Sequence, residues 1–263
     1  MPIAHVPSPT ELDAHPVVSR DEWLAARRDL LAREKELTRL ADSVAAQRRA
    51  LPWVAVEKEY LFETTDGKRT LADLFEGRSQ LIVYHFMFGP GWDEGCDGCS
   101  FLSDHFDGAN LHLPHNDVTL LAVSRAPLAE FLPFKKRMGW RFNWVSSHGS
   151  DFNFDFHAST SPEQVTSGKV LYNFEEDSSA EAGEEHHGIS VFLKRPNGKI
   201  SHTYSCYSRG VDHLCGALQL LDLTPKGRNE KGTMDWVRLH DRYETSGEST
   251  SCCSGEKPRS KGD

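Results

Sequence analysis

The sequence predicts an α/β protein: a mixed β-sheet with helices on both faces, preceded by an N-terminal helical arm. Three observations carry this reading. The run SQLIVYHFMF at residues 79–88 is continuously apolar and rich in β-formers, as in a central strand buried on both faces. Directly after it, Gly89, Pro90 and Gly91 lead to a cysteine pair, Cys96 and Cys99, at the start of a helical pattern. Further on, GISVFLKRPNGKISHTYS reads as two strands around a Pro196-Asn197-Gly198 turn, hence a hairpin.

The remaining elements follow in chain order. Residues 1–18 are rich in Pro and His and are expected to lack regular structure. Ser19 with Glu22 forms a capping-box signature that opens a helix ending near Ala50. On it Trp23, Leu30, Leu37 and Val44 recur every seven residues, with Leu24, Leu31 and Leu40 beside them. That stripe suits a helix laid against its own domain, or a homodimer arm, which the 3.5-residue period favours. YLFETTDGKRTLADLF reads as a strand, an Asp66-Gly67 turn and a short helix. CSFLSDHFDGANLHL fits a helix, DVTLLAVS a second buried strand, and APLAEFLPFKKRMG a helix interrupted by Pro133. FNWVSS is a third strand, and GVDHLCGALQLLDLTP a final amphipathic helix stopped by Pro225. Strand, cysteine pair, helix, strand, helix, strand, hairpin, helix is the thioredoxin-like arrangement with insertions. The expected organisation is an extension and helix over 1–50, a thioredoxin-like domain over 51–245, and a disordered, low-complexity tail over 246–263.

Composition narrows the function. With 38% hydrophobic and 26% charged residues, a soluble globular protein is expected. The formal charge of −9, without a basic run, argues against nucleic acid as a partner. No apolar stretch approaches the roughly 18 to 20 residues of a membrane span, and MPIAHVPSPTELDAHP has no apolar signal core. A cytoplasmic location is therefore expected. In a reducing compartment, closely spaced cysteines are more often catalytic or metal-binding than structural.

At the start of a helix, free backbone N–H groups and a partial positive charge favour a thiolate. This makes Cys96 the expected nucleophile and Cys99, one turn later, the thiol that resolves a mixed disulfide. Asp93, Glu94 and Asp97 act in the opposite sense, so a less acidic Cys96 than in strongly oxidising members of this fold is expected. The implied partners are protein or small-molecule thiols and disulfides.

The chain resembles the bacterial family called domain of unknown function 899. The resemblance lies in LPWVAVEKEYLF, YHFMFGPGWDEGCDGCSFLSD, GSDFNFDFH, GISVFLKRPNGKISHTYSCYSRGVD, LDLTPKGRNE and DWVRLHDRY, from about residue 15 to 245. It implies a thioredoxin-like fold and a thiol site at Cys96 and Cys99, without a substrate. The Pro-x-x-x-Thr/Ser-x-x-Cys loop of peroxiredoxins is not matched: Pro90 stands six rather than seven residues before Cys96, and Asp93 replaces the hydroxyl residue.

Thioredoxins carry a cis-proline just before the first hairpin strand. Here EEHHGISV places His187 or Gly188 there. His187 is locally similar to the metal-binding histidine of Sco-type copper-delivery proteins, although those use Cys-x-x-x-Cys. That resemblance implies a copper site, or less readily a zinc site, of Cys96, Cys99 and His187, near carboxylates that favour a cation. The alternative is that His186 and His187 are polar loop residues. His202 and Tyr204 share a face if the strand is regular, so His202 is a candidate acid–base group if that face meets the cysteines. Trp140, Phe142 and Trp144, then Phe152, Phe154 and Phe156, alternate as core residues or as an aromatic wall beside the sulfurs. Cys206 and Cys215 read as small buried residues, and the vicinal Cys252–Cys253 as a tail pair, either idle or able to shuttle electrons or collect a metal.

Overall fold

The computed structural model describes residues 7–177 and 183–243. The expectations for 246–263, including Cys252 and Cys253, lie outside the described residues.

Two helices open the chain, α1 (Pro9–Asp13) and α2 (Arg20–Arg49). The short α1 corrects the expectation of irregular structure up to residue 18. Ser8 and Glu11 form the same reciprocal cap there as Ser19 and Glu22 form for α2, and Pro9 is preset for a first helical turn. In α2 the Glu22 carboxylate accepts the Ser19 N–H at 2.9 Å, and the helix ends at Ala50. None of its side chains is buried. Leu30 and Leu37 are 54% and 66% exposed, so the stripe is not laid against the domain. The far end of α2 meets the sheet, where the Arg48 guanidinium lies 4.7 Å over the Tyr204 ring.

The strands are β1 (Val54–Ala55), β2 (Leu61–Thr64), β3 (Gly67–Thr70), β4 (Gln80–His85), β5 (Val118–Ser124), β6 (Asn143–Ser146), β7 (Val170–Tyr172), β8 (Glu175–Asp177), β9 (Gly188–Lys194) and β10 (Ile200–Tyr207). Eight of them form one sheet in the order β1-β10-β9-β4-β5-β6-β2-β3, and β7 and β8 pair separately. β4, β5 and β6 run parallel, while β9 lies antiparallel to β4 and to β10. The inner order β6-β5-β4-β9-β10 is the thioredoxin arrangement. The helices that follow α2 are α3 (Asp97–Ser103), α4 (Phe106–Ala109), α5 (Leu128–Arg137), α6 (Phe152–Asp155), α7 (Pro162–Ser167) and α8 (Gly216–Leu221).

The sheet separates two cores. Tyr84, Phe86, Ala122, Trp144 and Ile189 face one, with Cys99, Phe101, Phe131 and Leu218. Leu81, Val83, Leu121, Val145 and Phe192 face the other, with Phe62, Phe75, Phe152 and Phe156. This is the two-residue period of the pleat read on both sides of strands that have no solvent face.

Several local expectations are revised by packing. Asp66-Gly67 closes a true hairpin, β2–β3, before a single 3₁₀ turn at Asp73–Phe75. Pro133 does not break α5. It removes one backbone bond in the middle of the helix, while Phe131 and Phe134, both buried, anchor the turn around it. The stretch at Phe152 forms α6 rather than a continued strand. The final helix is split at Cys215 into a 3₁₀ segment, Ser208–Leu214, and α8.

Because α2 buries no side chain, its stability is uncoupled from the sheet domain. Ser19→Ala removes a cap that contributes about 0.5–2 kcal/mol to a helix. Helical ellipticity at 222 nm is expected to fall, while the near-UV melting midpoint of the domain stays unchanged.

Candidate active site: the cysteine pair beyond the central strand

β4 delivers the site. Beyond His85 the chain stays on the sheet for a few residues: Phe86 N–H donates to Val123 O at 2.9 Å, and Ala126 N–H to Phe88 O at 3.0 Å. It then turns through Gly91, whose φ of +77° suits glycine, and whose N–H donates to Glu130 at 2.8 Å. Gly95 allows the close return. A Cβ there would lie 2.6 Å from the Phe86 ring and 2.9 Å from the Phe134 ring. Cys96 caps α3 and is partly exposed, and Cys99 is buried one turn inward. The Ser100 N–H and hydroxyl both donate to Cys96 O at 2.9 Å, which locks the first turn.

The Cys96 thiol is pushed well above its ordinary value, first by its hydrogen bond with the Cys99 thiol and then by burial. The N–H groups of Cys99 and Gly98 at the helix start pull the other way and do not prevail. The carboxylates invoked from the sequence are not among its main causes. Glu94 is matched by two arginines brought from elsewhere, Arg137 at 2.5 Å and Arg242 at 2.5 and 2.8 Å. Arg137 also holds Asp241 at 2.7 Å. Of the three acidic neighbours, Glu94 therefore lies in a compensated ionic network.

Two further contributors were not legible in the sequence. Cys99 accepts the Met87 N–H at 3.5 Å and the Tyr84 hydroxyl. Tyr84 is buried, with the edges of the Phe86 and Phe106 rings against it. Burial, and then the Cys99, Cys96 and Cys215 sulfurs, push its phenol well above the ordinary range, so it stays a donor. Its only sequence signal was a hydroxyl within an otherwise apolar strand. The other contributor is the segment before residue 243. Met234 passes 3.8 Å from the Gly98 Cβ position, Trp236 packs edge-on to Phe101, and Val237 and Leu239 are buried. Trp140, Phe142 and Trp144 share the core that holds Cys99, as do Cys206 and Cys215, whereas Phe152 and Phe156 lie across the sheet.

The structure does not bring His202 to the cysteines. A bulge between His202 and Tyr204 breaks the alternation, so the two side chains take opposite faces of β10. Tyr204 packs with the core of Cys99, while the His202 ring packs against Phe156 and Phe192 on the other side. His187 stands one residue before β9, but its Nε2 is directed at Ser208 O, 3.3 Å away, and burial lowers its pKa. Among the described residues, no group of three or more His, Cys, Asp or Glu side chains is arranged to hold a metal ion. With His187 turned to a carbonyl and Glu94 paired with arginines, the residues present do not fit the three-ligand copper or zinc set of Cys96, Cys99 and His187.

Sheet order and strand directions define a thioredoxin-fold protein, with a Cys-x-x-Cys pair at the strand-to-helix junction. Within that class, the chain belongs to the family described as bacterial protein of unknown function (DUF899), which it matches over residues 12–243. Solved structures similar to it include the peroxidoxin BcpB from Mycobacterium tuberculosis, at 11% identity and a TM-score of 0.40, covering 64% of this chain and 95% of that one. The mitochondrial 2-Cys peroxiredoxin from Plasmodium falciparum shows 13% identity and a TM-score of 0.39, over 65% and 93% of the two chains. A protein assigned as a thiol:disulfide interchange protein DsbE, from Chlorobium tepidum, shows 11% identity and a TM-score of 0.37, over 64% and 97%. No curated protein matches the chain. No helix among the described residues is long and apolar enough to cross a membrane.

Two outcomes follow from this geometry. Gly95→Ala forces a methyl group into the Phe86 and Phe134 rings, and overpacking of this kind costs about 1–3 kcal/mol. A lower urea midpoint with an unchanged slope is expected. Because Cys96 is raised above its ordinary value of 9.0, its alkylation by iodoacetamide is expected to keep accelerating beyond pH 9. A plateau at or below neutral pH would show an activated thiol instead.

Proposed function

We propose that the protein is a thiol–disulfide oxidoreductase that works in the reducing direction. The observation that carries this reading is the asymmetry of the pair: Cys96 is partly exposed at the cap of α3, and Cys99 is buried behind it under a tyrosine hydroxyl. An incoming disulfide meets Cys96 first. The Cys96 thiolate attacks one substrate sulfur, forms a mixed disulfide and releases the other substrate sulfur as a thiol after protonation. Cys99 then loses its proton and attacks the Cys96 sulfur. This closes the Cys96–Cys99 disulfide and frees the second substrate thiol. Two electrons and two protons have passed to the substrate, and a dithiol reductant restores the pair. The Met87 N–H and the Tyr84 hydroxyl face the Cys99 sulfur that makes this attack.

The direction rests on the raised Cys96 thiol. A strongly oxidising dithiol owes its potential to a stabilised thiolate, which favours the reduced form. Here the hydrogen bond that the Cys96 thiol gives the Cys99 sulfur, and then burial, disfavour the Cys96 thiolate, which favours the disulfide and so makes the dithiol a reductant. The substrate is a protein or low-molecular-weight disulfide.

Cys99→Ser is expected to accumulate a mixed disulfide with its substrate, and Cys96→Ser is not. Equal trapping by both would overturn the order of attack. The equilibrium potential is expected nearer the roughly −270 mV of a reducing thioredoxin than the roughly −120 mV of a strong oxidant. A value near the latter would reverse the direction.

A further inference from the structure

The sheet face opposite the cysteines carries a buried polar chain that the dithiol chemistry does not use. His202 Nε2 lies 3.0 Å from Tyr204 O and 2.8 Å from Ser205 Oγ. Ser205 Oγ lies 2.9 Å from Ser190 Oγ, which lies 2.9 Å from His85 Nε2. His85 and Ser190 are wholly buried in the aromatic core. The polarity of the chain follows from chemistry. A carbonyl only accepts, so Nε2 carries the proton of the neutral His202 ring and donates to Tyr204 O and Ser205 Oγ. The Ser205 hydroxyl then donates to Ser190, and Ser190 to His85. His202 Nδ1 is left as an acceptor.

His202 and Ser205 also line a cavity of about 350 Å³. Its apolar walls include Tyr60, Phe156, Leu171 and Phe174. Phe174, 69% exposed, lines it with its ring centroid 5.5 Å from that of Tyr207. The charges around the cavity are largely spent on one another: Lys58 bridges Asp151 and Asp155 at 2.7 and 2.6 Å, and the Tyr60 hydroxyl donates to Asp155 at 2.8 Å. Burial lowers the His202 pKa, so the ring is neutral near pH 7. Asp155 and Glu57 in the lining disfavour an anion. A cation would lose its hydration to apolar walls, where Asp155 is already engaged and the other carboxylate, Glu57, is exposed to solvent. What remains is a mostly apolar space with two imidazoles, His157 and His202, of which His202 has its tautomer fixed by the serine chain.

We propose that this cavity is a binding site for a small uncharged phenol, whose ring packs against the apolar walls and whose hydroxyl donates to His202 Nδ1. The buried serine–histidine chain is a positioning device that fixes the His202 tautomer. The site is independent of the dithiol.

The test uses the full chain, reduced, with 4-ethylphenol as the probe and ethylbenzene as its counterpart without the hydroxyl. Calorimetry is expected to show saturable binding of 4-ethylphenol. Ethylbenzene is expected to bind about tenfold or more weakly, because it leaves a buried acceptor unpaired. The His202 Nδ1 resonance in the ¹⁵N imidazole spectrum is expected to shift with the phenol alone. His202→Phe should erase the preference between the two probes. Leu171→Trp, a change at the partly exposed rim, should block both with an unchanged melting midpoint. The proposal is overturned by no saturable binding of the phenol, by equal binding of the two probes to the wild type, by a preference that survives His202→Phe, or by binding that survives Leu171→Trp. Binding that persists unchanged in Cys99→Ser keeps this result separate from the fate of the redox reading.

Discussion

Burial of β4 on both faces is the constraint on which the rest of the molecule depends. Six residues, Gln80–His85, lie between a parallel neighbour, β5, and an antiparallel one, β9, with every pair in register. A strand in that position has no solvent face, so each side chain commits to one of two cores. Tyr84 goes to the core that holds Cys99, and His85, its neighbour in sequence, goes to the serine–histidine chain. Adjacent residues thus serve opposite sides of the sheet because the pleat has a period of two. The same strand aims its C-terminal end at α3, which is why the cysteine pair emerges at a helix start.

The thiol environment illustrates how a local charge pattern is overridden by distant partners. Read alone, Asp93, Glu94 and Asp97 are an unopposed acidic cluster. In the folded chain, Arg137 of α5 and Arg242 near the end of the described residues close on Glu94. With that carboxylate compensated, the dominant influences on Cys96 are its partner thiol and the loss of water around it. These are short-range effects in a low-dielectric setting, where they outweigh screened charges on the rim. The segment carrying Met234, Trp236 and Arg242 contributes to covering, packing and neutralising this corner, although it lies more than a hundred residues from the cysteines.

Polar groups on the two faces are handled differently. On the cysteine face the sulfurs, a tyrosine hydroxyl and backbone N–H groups make a compact set around a reactive pair. On the other face, hydroxyls and imidazoles form a chain from His202 at a cavity to His85, whose buried Nδ1 has no hydrogen-bond partner among the described residues. Leaving such a group unpaired in this setting is costly.

Short-range pattern by itself determined much of this protein. The apolar run of β4, the turn at Gly198, and the reciprocal cap of Ser19 and Glu22 are each legible within a few residues, because strand burial, turn conformation and helix capping are local physics. The cysteine pair was legible as a strand-to-helix feature for the same reason. What depended on contacts between distant segments was not: the arginines at Glu94, the tyrosine under Cys99, and the turning of His187 toward Ser208. The bulge at Thr203 decided the most. One extra residue in β10 moved His202 to the far side of the sheet. Alternation in a strand can be read from sequence, but an irregularity in its pairing belongs to the partner strand as well, and only the folded sheet holds both.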